Sequence, residues 1–198
     1  VKRKRTGKWL AIFQVEDSPI PLPSTNKVVG IDVGIKYFLT DSDGHQAENP
    51  RYYHKTLQRI RLFQRSFSMK KKGSSNGRKT LLKLNRAYEK LTNQRNDFLH
   101  KLSRFYVRNY GIIVTEDLHI ANMVKNHNLA KNILDASWWK FFKMLSYKAE
   151  RAGRTLLKVK PAYTSQENKE LIEDRDLRGS INVLNRGLLG VGTTLSAC

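Results

Sequence analysis

The chain of 198 residues contains a single cysteine, Cys198, at its last position. One thiol cannot close a disulfide within the chain, and it cannot supply the several sulfur ligands of a structural zinc site. The cysteine count therefore excludes a disulfide-stapled fold and predicts no zinc site in this chain. It is compatible with a reducing cytoplasm.

Long apolar runs are also lacking. No segment approaches the roughly 20 consecutive apolar residues that span a bilayer. Residues 1–8 are basic and polar, with no apolar run behind them, which is unlike a secretory signal. We therefore expect a cytoplasmic protein without a membrane segment.

Acidic residues are scarce, with 17 Asp and Glu against 37 Lys and Arg and a formal net charge of +20. Such an excess attracts polyanions. The basic residues are spread over the whole chain instead of along one face of an amphipathic helix, which favours nucleic acid over an anionic membrane. A solvated basic surface without a ligand is the alternative.

A stiff segment divides the chain into two parts. Residues 7–15 (GKWLAIFQV) are rich in β-forming residues and predict a strand. Three prolines follow within residues 18–26 (SPIPLPSTN) and predict a linker. We therefore expect a short N-terminal β region with its linker over residues 1–26 and one domain over residues 27–198.

The second part predicts strands first and then strands alternating with helices. Strands are expected near residues 27–35, 36–40, 46–53, 111–115 and 155–159, with a turn at 41–44 (DSDG). Helices are expected from about residue 138 to Gly153, capped by Asp135 or Ser137, and over residues 174–187. This order predicts an α/β domain with a mixed sheet.

Two further helices interrupt this pattern. Apolar residues recur at helical spacing over residues 53–69 and again from Leu81 to Phe105. The Gly- and Ser-containing basic segment 70–79 (KKKGSSNGRK) separates them. We expect an antiparallel helical hairpin, inserted over residues 53–108.

Three carboxylates have unusual settings. Asp32 interrupts an apolar strand between Gly30 and Gly34, Glu116 ends the strand 111–115, and Asp176 begins the last helix. Each has an ordinary explanation: a hydrogen-bonded strand residue, a solvated strand end, and a helix-dipole partner. A buried carboxylate is costly, however, unless a cation or partner neutralises it.

Taken together in a strongly basic chain, Asp32, Glu116 and Asp176 indicate a divalent-metal nuclease. Hard oxygen ligands suit Mg²⁺. Two such ions about 3.5–4 Å apart activate a water molecule and stabilise the leaving oxygen of a phosphodiester.

At these residues the chain resembles the TnpB/OrfB family of insertion-sequence proteins. VVGIDVGIKYFLT (residues 28–40), IIVTEDLHIANM (112–123) and DRDLRGSINVLNRG (174–187) resemble the family's three RuvC motifs in order. DASWWKFFKMLSYKAERAG (135–153) and PAYTSQ (161–166) resemble the segments between them, and residues 7–15 resemble the last strand of its N-terminal wedge region.

The resemblance implies a RuvC-type, RNase H-like nuclease core of an RNA-guided DNA endonuclease. Asp32, Glu116 and Asp176 would be the catalytic metal ligands for two Mg²⁺ or Mn²⁺ ions, with Asp174 the alternate for the third position. DNA and a guide RNA would be the partners, in a prokaryotic cytoplasm. Oligomeric state does not follow from the resemblance.

Three departures from the family pattern are visible. The four-cysteine zinc ribbon is replaced by residues 167–173, and most of the N-terminal recognition and wedge region is absent from the sequence. The usual Asn-Ala-Ala after the third acid reads Arg178, Gly179, Ser180. The first two departures suggest an excised or naturally minimised catalytic core, whereas the third leaves the metal ligand intact and concerns local packing. A nuclease-inactive binding module of the same fold is the alternative.

The basic segment 70–79 and the two tryptophans outside the motifs can each be interpreted in two ways. Five cations in the segment 70–79 form either a solvated linker or a phosphate-contacting lid: Lys70, Lys71, Lys72, Arg78 and Lys79. Trp138 is expected in the core, whereas Trp139 is unassigned and either residue offers a stacking surface for bases. The five histidines show no metal-ligand spacing.

Overall fold

The computed structural model describes residues 1–161 and 173–195, with side chains for all of these except 128 and 191–195. The chain forms two compact units. The first unit contains residues 1–18 and 51–98, and the second contains residues 19–50 and the chain from residue 99 onward. No helix among the described residues is long and apolar enough to cross a membrane.

The first unit begins with a minimal β-hairpin. Strand β1 (Lys2–Arg3) pairs antiparallel with β2 (Trp9–Leu10). The strand predicted over residues 7–15 is therefore wrong in extent, since residues 11–18 have no regular structure. Phe13 is 82% exposed there, so no apolar burial stabilises further pairing.

Two helices make up the rest of the first unit: α1 (Tyr52–Ser68) and residues 75–98 of α2 (Ser75–Asn109). The Tyr52 ring lies 6.5 Å from the Phe98 ring, and Gln64 Nε2 donates to the Tyr88 hydroxyl at 3.0 Å. The earlier residue of α1 thus contacts the later residue of α2, so the two helices run antiparallel and the predicted hairpin is confirmed. Its small core consists of Ile60, Leu84, Ala87 and Leu91.

The break between these helices is shorter than predicted. Helix α2 begins at Ser75, inside the segment 70–79. Ser74 Oγ accepts the Gly77 backbone N–H at 3.0 Å, an N-cap bond that starts the helix despite the glycine. Arg78 and Lys79 are therefore helical, and only residues 69–74 connect the helices.

The second unit is built on a five-stranded sheet in the order β5-β4-β3-β6-β7. Its strands are β3 (Val28–Val33), β4 (Tyr37–Asp41), β5 (Gln46–Glu48), β6 (Ile112–Glu116) and β7 (Thr155–Val159). Strands β3, β4 and β5 pair antiparallel, whereas β3, β6 and β7 pair parallel. The predicted mixed α/β sheet is confirmed.

Five helical segments accompany this sheet: residues 99–109 of α2, α3 (Ile120–Met123), α4 (His127–Ala136), α5 (Trp138–Arg151) and α6 (Arg175–Leu195). Helices α3 and α4 were not predicted. Of the two residues expected to cap α5, Asp135 lies inside α4, whereas Ser137 occupies the N-cap position. Ser137 makes no side-chain capping bond, because its Oγ donates to the Leu134 carbonyl at 3.0 Å. Ser137 adopts φ 60°, and the turn itself separates α4 from α5.

Helix α6 lies directly on the sheet because glycines allow backbone contact. A Cβ on Gly30 would overlap the Ser180 backbone and stand 2.7 Å from Leu184 Cβ. A Cβ on Gly187 would stand 2.5 Å from a methyl group of Val114. Gly30 and Val114 are paired across β3 and β6, so both point to the α6 face of the sheet.

The C-terminal part of α2 packs on the opposite face. Tyr106 is 1% exposed, and its hydroxyl donates to Asp41 Oδ2 at 2.9 Å. Asp41 pairs with Ile31, which alternates with Gly30 and Asp32 along β3. The core between these layers includes Val29, Ile31, Phe38, Leu39, Ile113, Val114, Phe141, Leu145 and Val183.

Candidate active site

Asp32 lies on the α6 face of β3, two residues beyond Gly30. Burial raises the pKa of its carboxyl from 3.8 to about 7, and the negative charges of Glu116 and Asp176 add to the shift. The Val33 backbone N–H and the Arg175 guanidinium oppose it. Glu116 and Asp176 are therefore both close enough to act electrostatically on Asp32.

Strand pairing explains why Asp32 and Glu116 are neighbours. Ile31 and Thr115 are the last registered pair of the parallel strands β3 and β6, and Asp32 and Glu116 come next. Adjacent strands are about 4.8 Å apart, and alternation turns both side chains to the α6 face. Both strands end here, at the carboxyl edge where open α/β sheets form ligand crevices.

Asp176 reaches the same edge from the first turn of α6. Helix α6 is held close by Gly179, where an added Cβ would stand 2.6 Å from Asp32 Oδ2. Gly179 and Ser180 are both buried. An alanine at position 179 would therefore press on the Asp32 carboxylate.

Asp174 has a different environment. Its Oδ1 accepts the backbone N–H groups of Asp176 at 2.9 Å and Leu177 at 3.3 Å, which is N-cap geometry. Its Oδ2 accepts a hydrogen bond from Gln46 Nε2 at 3.3 Å. Asp174 is exposed and is used as the cap of α6, whereas Asp176 is the acid that acts on Asp32.

The chemistry of the three acids suits a hard divalent cation, because all donors are carboxylate oxygens and a cation would relieve the repulsion that raises the Asp32 pKa. The described residues nevertheless contain no group of three or more His, Cys, Asp or Glu side chains close enough together to hold a metal ion. The acids are electrostatic neighbours without a closed coordination shell, and their role as ligands stays a prediction.

Other residues at this edge were not predicted. Arg175 stands next to Asp176 and lowers the Asp32 pKa. Asp117 follows Glu116 but turns to solvent, with its carboxylate 3.5 Å from Lys158 Nζ and 55% exposed. Arg175 lies between Asp174 and Asp176 in the sequence, and this position could have indicated that its charge acts on the acids.

The remaining predicted features lie elsewhere. Lys70, Lys71 and Lys72 are exposed in the α1–α2 connection of the first unit, and Arg78 and Lys79 are exposed in the first turn of α2. The three acids belong to the second unit, so the lid stays a prediction. The segment 161–166 and the zinc-ribbon replacement 167–173 lie almost wholly outside the described residues.

The two tryptophans differ in exposure, and the helical spacing predicted this only for Trp138. Trp138 is 3% exposed, which confirms its place in the core, whereas Trp139 is 63% exposed beneath the Lys143 ammonium, 5.2 Å from its ring centre. Among the histidines, His45 Nδ1 lies 3.2 Å from the buried Asp41 carboxylate. That contact belongs to the β4–β5 turn.

Comparison with known families places these observations in context. Residues 12–127 match the family model OrfB_IS605, described as "Probable transposase". Residues 138–171 match the model of the Cas12f1-like TNB domain. The first match alone covers more than half of the chain.

Curated relatives match over most of the chain. It is 34% identical to a protein of Streptomyces pristinaespiralis named as a candidate RNA-guided DNA endonuclease, over 95% of this chain and 52% of the relative. It is 33% identical to InsQ of Escherichia coli K12, named in the same way, over 81% of this chain and 44% of that protein. The chain spans about half the length of the curated relatives it matches.

A solved structure shares the fold. One chain in the cryo-EM structure of the Cas12f1–sgRNA–target DNA complex superposes with a TM-score of 0.53 at 16% identity, covering 84% of this chain and 51% of that one. At this identity the likeness concerns the fold. Together with the family match, these comparisons show that this chain belongs to the TnpB/OrfB transposase family.

Proposed function

We propose that this chain is a divalent-metal-dependent DNA endonuclease core of the RuvC type, with an RNase H-like fold. The observation that carries the proposal is the partly buried Asp32 carboxyl, whose pKa is raised to about 7 by burial, Glu116 and Asp176. The mixed sheet with helices on both faces supports the fold assignment, because the acids stand at the carboxyl ends of its two central parallel strands.

Asp32, Glu116 and Asp176 would hold two Mg²⁺ or Mn²⁺ ions. When bound, such ions supply a nucleophile from water at neutral pH and neutralise charge on the phosphate. The chain's own contribution is to keep three oxygen donors together on rigid elements. Gly179 fixes Asp32 against α6, and Arg175 adds a positive charge beside the acids that favours an incoming phosphodiester.

The names of the relatives support DNA as substrate and a guide RNA as partner. Proteins that share 33–34% identity with this chain are named as RNA-guided DNA endonucleases. We propose the same role for the protein to which this core belongs, with the guide supplying sequence recognition and the core supplying hydrolysis. The net charge of +20 agrees with two polyanionic partners.

One observation favours a second candidate. Because the described acids form no closed coordination shell, a nuclease-inactive nucleic-acid-binding module of the same fold is the alternative function. It predicts nucleic-acid binding with neither cleavage nor saturable divalent-metal binding.

The test compares cleavage of labelled single-stranded and duplex DNA by the chain with Mg²⁺, with Mn²⁺ and with chelator. Asp32→Asn should lower the cleavage rate at least about a thousandfold. Asp117→Asn is the matched control, because it removes an exposed carboxylate at the same edge, and it should change the rate only a few-fold. Calorimetric titration with Mn²⁺ should show saturable binding that Asp32→Asn weakens. If the unaltered chain neither cleaved DNA nor bound Mn²⁺, the protein would be a nucleic-acid-binding module without nuclease activity.

A further inference from the structure

The first unit contains a groove that the proposed chemistry does not use. It lies between α1 and α2 and encloses about 460 Å³. The lining residues from α1 follow one another at intervals of three and four residues, so they lie on one face of that helix. The lining residues are Thr56, Arg59 and Phe63 from α1, and Lys83, Arg86, Ala87 and Lys90 from α2.

The lining is cationic without an acidic member. Arg59, Lys83, Arg86 and Lys90 are all exposed, and none of the seven lining residues is Asp or Glu. The neighbouring Glu89 is engaged away from the groove, with its carboxylate oxygens 3.1 Å from Lys4 Nζ and 3.3 Å from Lys8 Nζ. Four positive charges therefore face one recess.

Phe63 gives the groove a fixed element. The Arg59 guanidinium lies 5.6 Å from the Phe63 ring centre, which orients this cation over an aromatic face. Below it, Ala87 belongs to the small apolar core of the hairpin. The groove therefore combines part of the hairpin core with the exposed side chains of Lys83, Arg86 and Lys90.

The surroundings reinforce the charge. The first unit carries 19 Lys and Arg against four Asp and Glu, a formal charge of +15. The second unit carries 18 against 13, a formal charge of +5. Three quarters of the net charge of the chain therefore belongs to the unit that contains the groove.

We infer that the α1–α2 groove binds the sugar-phosphate backbone of a nucleic-acid strand. The Lys83–Lys90 row extends about 10 Å along its helix, at 1.5 Å per residue, so it is long enough for more than one phosphate. A recessed row of cations suits a linear polyanion, whereas a flat membrane surface cannot enter a recess. A row of cations with no acidic member attracts phosphates, and we expect it to add affinity with little sequence preference.

This inference is independent of cleavage. The groove lies in the first unit and the three acids lie in the second. A chain that fails to cut would still bind through the groove.

The experiment is a salt titration of affinity for a 12-nucleotide RNA, a DNA strand of the same sequence, and the duplex. The groove variant carries Lys83→Gln, Arg86→Gln and Lys90→Gln. The control variant removes three exposed cations of the same unit that do not line the groove, through Lys2→Gln, Arg61→Gln and Arg65→Gln. Circular dichroism should show the same helix content in both, because all six side chains are exposed.

We expect the groove variant to lose affinity about tenfold or more at 0.1 M salt. Its plot of log affinity against log salt should be shallower by two to three, since each phosphate contributes about 0.7 on single strands and 0.9 on duplex. The control should stay within about threefold of the unaltered chain. In the unaltered chain, bound strand should protect Lys83 and Lys90 from acetylation while Lys2 still reacts.

Three results would overturn the inference. Equal losses in the two variants would show diffuse charge without a groove site. Tripolyphosphate that binds as tightly as the 12-nucleotide strand would show a small-anion site. Polyglutamate that competes as well as nucleic acid would show a site for acidic protein segments. A preference for RNA, DNA or duplex among the three probes would identify which strand the groove takes.

Discussion

The two units of this chain differ most in how they use acidic residues. In the first, four acids stand among 19 cations, and Glu89 serves only to hold the N-terminal hairpin through Lys4 and Lys8. In the second, 13 acids almost balance 18 cations. Two of them, Glu116 and Asp176, repel the charge of a third, Asp32, whose pKa burial already raises.

The net charge of +20 is therefore unevenly divided, with +15 in the first unit and +5 in the second. A helical hairpin with a four-residue core bears the charge that attracts nucleic acid. A sheet with a larger core supports a cluster of like charges, which costs stability and is retained at sites where a charge is used. The proposed binding groove and the proposed catalytic acids therefore belong to different units.

The largest effect that sharpens this comparison concerns the acid contributed by α6. Asp176→Asn should lower DNA cleavage by at least about a hundredfold, because it removes a proposed metal ligand. Asp174→Asn should stay within about threefold, because asparagine also caps helices and Asp174 is used as a cap. Cleavage rates of the two variants check this; the reverse ranking would make Asp174 the third ligand.

The next effect is a pH dependence confined to the second unit. The folded Asp32 pKa is about 7 against 3.8 for a free side chain. The unfolded chain therefore releases this proton as pH rises from 4, while the folded chain keeps it until about 7. The contribution of Asp32 to the free energy of unfolding is therefore largest below pH 4 and decreases as the pH rises to 7. The decrease should be on the order of 3 kcal/mol or less, because Asp32 is only partly buried.

Asp32→Asn should remove this fall of stability with rising pH. In the presence of chelator, the variant should therefore be more stable than the parent at pH 8 and equally stable near pH 4. Denaturant unfolding at both values measures the difference. If the free energy of unfolding changed equally with pH in the parent and the variant, ionisation of the Asp32 carboxyl would not destabilise the folded chain. Hydrogen exchange should place the gain in the sheet and leave α1 unchanged.

The smallest effect tests how closely α6 approaches the acids. Gly179→Ala should lower stability by about 1 kcal/mol. The added methyl would stand 2.6 Å from Asp32 Oδ2, so that one of the two must move at a cost of about 2 kcal/mol, and the higher helix propensity of alanine offsets about half of this cost. Gly190→Ala in the same helix meets nothing within 4 Å and should gain up to about 1 kcal/mol. Thermal unfolding of both variants separates close packing from helix propensity, and equal shifts would contradict the contact.

Much of the second unit could be predicted because its signals are local. The strands around Asp32 and Glu116 are short apolar runs with clear ends, and Trp138 marks the buried face of α5 by spacing alone. The two acids could be placed on strand ends, but not on the same face. That required the parallel register between Ile31 and Thr115, which no local pattern contains.

The features that were missed depend on tertiary pairing. Lys83, Arg86 and Lys90 each look like ordinary solvated charges, and only the antiparallel alignment with Arg59 makes them a groove. Helix α3 has only four residues and no side-chain cap hydrogen bond, and α4 has only ten residues, so the sequence contains little helical periodicity there. Conversely, the β-forming segment 7–15 finds no partner beyond Trp9–Leu10, so its propensity is not realised.

The most direct test of the division between the units measures binding and cleavage for the same two variants. Asp32→Asn should abolish DNA cleavage and leave the salt dependence of DNA binding unchanged. The groove variant (Lys83→Gln, Arg86→Gln, Lys90→Gln) should bind DNA with a slope shallower by two to three and still cleave at saturating DNA. If Asp32→Asn flattened the salt dependence, or if the groove variant lost cleavage at saturation, the two functions would belong to one site and the account would be wrong.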